Sequence, residues 1–368
     1  MESPRIHGAD TAHAPLDRAV DVRLGEELDA AALADYLRAH LPKVTVGEIG
    51  VRQFPRGFSN LTYLVTAGGR EMVLRRPPFG AQVRGGHDVV REHRILAALH
   101  PVYPRVPRPL LCCADPAVLG APFYLMERVQ GVVLRDRPPA GVTLDEATMR
   151  GICLATVDTL AGLHAVDWRA AGLEGIGRPE GYAERQVRGW TGRWQAARTD
   201  DVPEMDQAAA WLAANLPAEG EPAIIHNDYK YDNVVLDPAD LTQVRAVLDW
   251  EMATLGDPLM DLGTTLAYWA GPGDPPELKT FGVTHLPGNL DRRQVAERYA
   301  EKTGRDVGGI LFHYVYGLFK VGVIVQQIYA RYRAGKTQDP RFAGLIHVLR
   351  AAARTATGAI GRGDIAGR

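Results

Sequence analysis

Cysteine is scarce: Cys112, Cys113 and Cys153 are the only three in 368 residues. No C-x-x-C pair occurs, and an odd count does not make a disulfide framework. Adjacent Cys112 and Cys113 read as small buried hydrophobes rather than a redox pair. Long apolar runs are also missing. The longest, Tyr314 to Ala330, is broken by Lys320 and by Gln326-Gln327, and it falls short of the roughly 20 apolar residues of a membrane span. The first residues, Met1-Glu2-Ser3-Pro4-Arg5, are polar and lack a signal-peptide core. The expected setting is therefore cytoplasmic, with no membrane partner. Nor is there an excess of either charge. Lys and Arg total 42 against 44 Asp and Glu, a net charge of -2, so the basic footprint of a nucleic-acid binder is absent. A local basic pocket is still compatible with that sum.

What is present is the balance of a globular protein, 46% hydrophobic and 23% charged. At roughly 150 residues per domain the length suggests two domains or one bilobal unit, large enough to bury a core without staples. Residues 28–41 are Ala-rich and helical in pattern. Leu61, Tyr63 and Val65 then alternate with Thr62, Leu64 and Thr66, and Gly68-Gly69 leads into Met72-Val73-Leu74-Arg75. This spacing predicts a β-hairpin. Gly86 to Leu99 predicts a helix with Val89, Leu96 and Leu99 on one stripe, and Glu92 falls on that stripe. A carboxylate there is costly unless paired. Pro122 to Val129 reads as a short strand. Beyond Gly131 the texture is helical, with helices over Glu146 to Val166 and Leu311 to Ala334, loops over Asp200 to Met205 and Gly271 to Pro276, and a β island from Ala223 to Trp250. There is no internal repeat and no low-complexity tract.

The chemistry is concentrated in the β island. Ile224-Ile225 is followed by His226-Asn227-Asp228-Tyr229-Lys230-Tyr231-Asp232-Asn233 and then by Val234-Val235-Leu236. A further strand, Val244 to Leu248, ends in Asp249-Trp250-Glu251. Phosphoryl transfer needs a carboxylate at the acceptor hydroxyl and oxygen ligands for magnesium. Asp228 can project from its loop as the base. Asn233, five positions on, can offer an amide oxygen, and Asp249 a charged one, which suits a hard cation. Lys230 can neutralise the moving phosphoryl group. The pattern H-N-D-Y-x-x-x-N followed by D-W-E matches the spacing of the protein-kinase pattern H-R-D-L-x-x-x-N followed by D-F-G. An isolated Asp capping a turn, or an Asn in an Asx-turn, is the competing reading of each residue alone.

These residues, together with Gly57-Phe58-Ser59-Asn60, Val73-Leu74-Arg75-Arg76-Pro77-Pro78, Arg91-Glu92, Phe123-Tyr124-Leu125-Met126-Glu127, Leu163-His164 and Gly256-Asp257-Pro258-Leu259-Met260-Asp261, give the likeness. The chain resembles the aminoglycoside phosphotransferase and choline kinase-like family, which has the protein-kinase fold. Within it the chain is most similar to the kinase-like domain fused to some acyl-CoA dehydrogenases. The resemblance implies an α+β bilobal fold: residues 1–127 an extension plus a β-rich nucleotide-binding lobe, residues 128–368 a helical lobe with the catalytic loop and acceptor site. It implies that Ser59 and Asn60 lie over ATP phosphates, and that Arg75 stands where the family has a phosphate-gripping Lys. Alternation along the strand turns Arg76 to the other face. Glu92 would pair with Arg75, and backbone groups near Glu127 and Val129 would hold the adenine edge. His226 would brace the loop, with Asp257 and Asp261 as capping and bracing carboxylates. Glu251, in place of the Gly of D-F-G, reads as a further metal ligand or as an outer carboxylate. Lys320 reads as snorkelling to the surface, or else as lining the acceptor cleft.

The function so implied is an ATP- and magnesium-dependent kinase acting on the hydroxyl of a small molecule. The C-terminal third holds Tyr268, Trp269, Phe312, Tyr316 and Phe319 beside Lys320, Arg331 and Arg333. That mixture favours a partly apolar acceptor such as a hydroxyacyl metabolite over a polycationic aminoglycoside. The alternative is a catalytically silent, nucleotide-binding regulatory module, for which Arg75 is the main support.

Overall fold

The computed structural model describes residues 18–41, 48–55, 60–79, 88–337 and 339–367. Gly57, Phe58 and Ser59, expected over the phosphates, and Gly86 at the expected helix start lie outside them.

The predicted hairpin forms. β1 (Ile49–Gln53), β2 (Leu61–Ala67) and β3 (Arg70–Arg76) are antiparallel, with Thr62 opposite Arg75 and Ala67 opposite Arg70. β4 (Pro109–Cys113) and β5 (Phe123–Glu127) complete a five-stranded sheet in the order β1-β2-β3-β5-β4. One sheet face packs on α1 (Ala30–His40), whose Leu33 and Leu37 join Tyr63, Val65, Leu74, Phe123 and Leu125 in a small core. The other faces α2 (Val89–Leu99). Asp88 caps that helix by accepting from the Arg91 backbone N–H at 2.9 Å, which fixes where it starts. A four-residue α3 (Pro116–Leu119) bridges β4 and β5.

The rest of the chain is mostly helical. Two-residue β6 (Val132–Val133) leads to α4 (Glu146–His164), α5 (Tyr182–Ala197) and α6 (Pro203–Ala214). The last begins inside the stretch expected to be a loop, because Pro203 sits at its first turn, where a missing N–H costs nothing. The β island resolves into β7 (Ala223–Ile225), β8 (Val234–Leu236) and β9 (Val244–Val247), and a further strand, β10 (Thr254–Gly256), lies just beyond its expected end. β6, β8 and β9 form one small sheet and β7 pairs with β10. Helices α7 (Pro258–Tyr268), α8 (Arg292–Thr303), α9 (Ile310–Arg333) and α10 (Leu345–Arg362) follow. α9 is the central post, packed on α5, α6, α7 and α10, and 15 of its 24 residues are buried. Of the aromatics expected at an acceptor site, Trp269, Phe312, Tyr316 and Phe319 are buried in this core: the last three sit on α9, which is covered on several sides, and Trp269 follows α7 with its indole N–H on the Leu290 carbonyl at 2.9 Å. Among the described residues no helix is long and apolar enough to cross a membrane.

Candidate active site

The loop between β7 and β8 is held from behind. Asp261, fully buried on the first turns of α7, accepts from the backbone N–H groups of His226 at 2.6 Å and Asn227 at 2.7 Å. Its Oδ2 also receives His164 Nε2 at 3.1 Å, and His164 Nδ1 accepts from the Tyr299 hydroxyl at 2.7 Å. Burial pushes the Asp261 carboxyl up, but the His164 hydrogen bond and the nearby donors outweigh it and hold the group below its ordinary range. His226 Nε2 donates to the Leu248 carbonyl at 2.8 Å, and its Nδ1 accepts the Asp228 backbone N–H at 3.3 Å. That pattern fixes the Nε2–H tautomer. The ring also meets Trp250 edge-on at 5.0 Å. His226 thus joins the loop to the end of β9 and moves no proton in this arrangement. Asp257 caps α7 by accepting the Leu259 N–H at 2.8 Å.

On the cleft side, Asp228 Oδ2 accepts from Lys230 Nζ at 2.7 Å and from Asn233 Nδ2 at 3.0 Å. Asn233 Nδ2 also donates to the Asp228 carbonyl at 2.8 Å, so its amide oxygen is the acceptor left over for a cation. Burial opposes ionisation of Asp228, yet Lys230 holds the carboxyl below its ordinary value, and Asp228 in turn holds the Lys230 ammonium up. Tyr268 adds its ring face at 4.9 Å from Lys230 Nζ. Trp269 lies against Tyr231 of the same loop, with ring centroids 5.1 Å apart.

Across the cleft, β3 presents Arg75 from the sheet face toward α2. Its Nη2 donates to Asp249 Oδ1 at 2.9 Å and to Glu251 Oε2 at 3.3 Å. Its Nε lies 3.4 Å from Glu92 Oε2, a charge contact without hydrogen-bond geometry. Burial pushes the Glu92 carboxyl up against the pull of Arg75, while Glu92 and Asp249 keep the guanidinium firmly charged despite its burial. The carboxylate on the apolar stripe of α2 is thus partnered. Arg76 does turn to the opposite face, where it is buried, donates to the Leu119 carbonyl at 3.0 Å and stacks on Phe79 at 3.7 Å. Asn60 Nδ2 donates to Glu251 Oε2 at 2.8 Å, linking the start of β2 to the segment after Asp249.

Between the two halves runs a slot walled by Val73, Met126, Val133, Val235 and Leu248, with Asn60, Arg75, Asn233, Asp249 and Glu251 at its polar end. Glu127 and Val129 line the rim, and Glu127 is exposed and pairs with Arg108 at 3.3 Å. Arg135, which the sequence reading missed, also lines the slot and pairs with Asp232 at 2.8 Å. Two non-glycine residues among those described have positive φ, Asn227 at 67° and Asp249 at 67°. Both lie in this site, and such strain persists only where the surroundings over-determine it. No sequence pattern announces it. Lys320 departs from expectation as well. It does not snorkel: it is 1% exposed and donates to the Asn227 carbonyl at 2.6 Å.

The donor set suits magnesium. Asn233, Asp249 and Glu251 offer amide and carboxylate oxygens at the slot's polar end. Among the described residues no three of His, Cys, Asp and Glu converge as a self-sufficient metal cage. Magnesium takes one or two protein carboxylates and completes its shell with phosphates and water.

A β-sheet lobe over a helical body, with a His-Asn-Asp loop and a following Asp at the cleft between them, defines a kinase-like phosphotransferase. The chain belongs to the phosphotransferase enzyme family, whose model matches residues 50–297. It is 36% identical over 324 residues to acyl-CoA dehydrogenase family member 11 of Gallus gallus, a match covering 86% of this chain and 41% of that protein. The chain thus spans about two fifths of that relative's length. A crystal structure of a candidate aminoglycoside phosphotransferase from Ralstonia eutropha superposes with a TM-score of 0.75 at 29% identity, covering 90% of this chain and 99% of the other. A thermostable aminoglycoside phosphotransferase mutant in ternary complex with AMP-PNP and hygromycin B shares the fold, with a TM-score of 0.56 at 19% identity over 88% and 98% of the two chains.

Proposed function

We propose that the chain transfers the γ-phosphoryl group of ATP, with magnesium, to a hydroxyl of a small molecule. The observation that carries this reading is the set Asp228, Lys230 and Asn233 on one loop, facing Asp249 and Arg75 at the polar end of an apolar slot. Asp228 orients the acceptor hydroxyl and takes its proton as the new oxygen–phosphorus bond forms and the β–γ bridge breaks. Asn233 and Asp249 hold the metal, with Glu251 beside them. When bound, magnesium neutralises charge on the phosphates. Lys230 and Arg75 add fixed positive charge, and Glu92 keeps Arg75 aimed. Asn60 and Ser59 serve the phosphates, and the rim at Glu127 and Val129 serves the base. Catalysis of this kind is mostly positioning and electrostatics.

The acceptor we infer is a hydroxylated acyl metabolite, a hydroxyacyl-CoA being the first to test. Its support is the name of the relative matched over two fifths of its length, an acyl-CoA dehydrogenase family member. An acceptor screen coupled to ADP release, covering hydroxyacyl-CoAs, aminoglycosides, choline-like alcohols and sugars, tests it. Asp228→Asn keeps the shape and the hydrogen-bond acceptor but removes the base, and turnover should fall by about a thousandfold with the melting temperature little changed. A folded Asp228→Asn protein with wild-type turnover would sink the assignment. A thermal shift with ATP but no turnover with any acceptor would favour the silent nucleotide-binding module.

A further inference from the structure

The mechanism above leaves Lys320 unused. The residue is buried in the middle of α9, and among the described residues its ammonium makes one hydrogen bond, to the Asn227 carbonyl at 2.6 Å. No carboxylate lies within 4.0 Å of it as an ion-pair partner among the described residues. The charged groups facing it are Asp228 and Lys230 on the loop, Asp261 on α7 and Arg193 on α5. Trp190 of α5 offers its ring at 6.0 Å from Nζ. Burial pulls the ammonium down to about 8 against the attraction of Asp228 and Asp261. A buried cation of this kind is expensive, and an apolar side chain of similar length would pack there at lower cost. Core packing alone therefore does not account for a lysine here.

What it touches does. Asn227 precedes Asp228 and holds φ at 67°. Four separate elements clamp it. Its N–H is taken by Asp261 of α7 at 2.7 Å, and its carbonyl by Lys320 of α9 at 2.6 Å. Its side-chain Oδ1 accepts from the Tyr182 hydroxyl of α5 at 3.2 Å, and its Nδ2 donates to the Met252 carbonyl at 3.1 Å. The Lys320 contact holds the carbonyl side of the peptide unit joining Asn227 to Asp228, whose N–H side rests on His226 Nδ1 at 3.3 Å. Without it that carbonyl has no partner among the described residues, and the peptide that carries Asp228 keeps only the longer His226 contact.

We propose that Lys320 is a positioning residue for Asp228: it pins the Asn227–Asp228 peptide from the far side of the helical core and so sets where the catalytic carboxylate points. The proposal rests on the phosphotransferase reading and adds a residue more than ninety positions away in sequence. A misplacement near 1 Å at a reacting group costs about a hundredfold, and that sets the expected effect.

The test uses the full chain and magnesium-dependent ADP release from ATP, first with water as acceptor and then with the hydroxyacyl-CoA series. Lys320→Met should lower kcat by about a hundredfold, with KM for ATP within twofold and a melting temperature equal to or above wild type. Lys320→Gln, which keeps a donor and loses the charge, should recover part of that kcat. A Lys320→Met protein with kcat within twofold of wild type would overturn the proposal. Should it not fold, Lys320→Leu is read in its place, and loss of the fold in both would assign Lys320 to the core and overturn the proposal equally. A wild-type chain that releases no ADP with any acceptor would refute the phosphotransferase reading itself, an outcome distinct from the others.

Discussion

At the scale of single residues the site is a set of charges that are tolerable only together. Arg75 contacts three carboxylates, and Glu92, the most deeply buried of them, has no other ion-pair partner among the described residues. Arg75→Ala should therefore destabilise the fold by about 3–5 kcal/mol through the charge it strands. Chemical denaturation at pH 7 reads that directly. The Glu92 carboxyl is already pushed above its ordinary 4.5. Below that value both folded and unfolded states are protonated and no charge is stranded, whereas above it the penalty grows with pH. The loss should accordingly be smaller at pH 4.5 than at pH 7, and Arg75→Met/Glu92→Gln should recover most of it. An equal loss at both pH values would show that Arg75 contributes packing rather than charge compensation. Much of this was legible in the sequence, because a carboxylate on an apolar stripe demands a partner. The bifurcation of Arg75 toward Asp249 and Glu251 was not legible, since it depends on two distant segments meeting.

At the scale of elements, the placement of α9 decides the reach of Lys320. α7 and α9 cross at two glycines. A methyl added at Gly263 would meet the His313 carbonyl, and one at Gly317 would meet the Gly263 carbonyl. Backbone cannot yield there as a side-chain tip can. Gly317→Ala should cost about 1–3 kcal/mol by overpacking. It should also lower kcat, because Lys320 sits one turn further along the same helix. Gly192→Ala on α5 is the matched control: an added methyl there meets nothing within 4 Å, so stability should hold or rise by about 0.5–1 kcal/mol. Melting curves of the two variants side by side check this, and a neutral Gly317→Ala would show that the helices can part freely. The elements themselves were largely readable. Their periodicity predicted the β2–β3 hairpin, α2, α4 and α9 close to their observed limits. The start of α6 was misplaced because a proline opening a helix looks locally like a proline in a loop.

At the scale of the whole molecule, the slot is closed by parts from both halves of the chain, so a ligand that binds it should stabilise the fold as one unit. ATP with magnesium at a hundred times its Kd should add about 2.7 kcal/mol. ATP with a chelator should add less, and Asp249→Asn should remove the magnesium-dependent part while leaving the rest. Thermal shift in the four conditions decides it, and a shift indifferent to magnesium would dissociate Asp249 from metal binding. The sequence by itself determined the class of fold and which residues stand on the loop. Strand alternation, helical stripes and the spacing from His226 to Asn233 and on to Asp249 are local properties that short-range sterics and hydrophobic patterning impose. Only the tertiary structure decided the direction of a long side chain on a covered helix, the left-handed backbone of Asn227 and Asp249, and the burial of aromatics that looked available for an acceptor. Each of these depends on what packs against a residue from elements remote in sequence. Lys320 shows it most plainly: its position on an apolar helix was visible, but its carbonyl partner belongs to a loop that only the folded core brings within 2.6 Å.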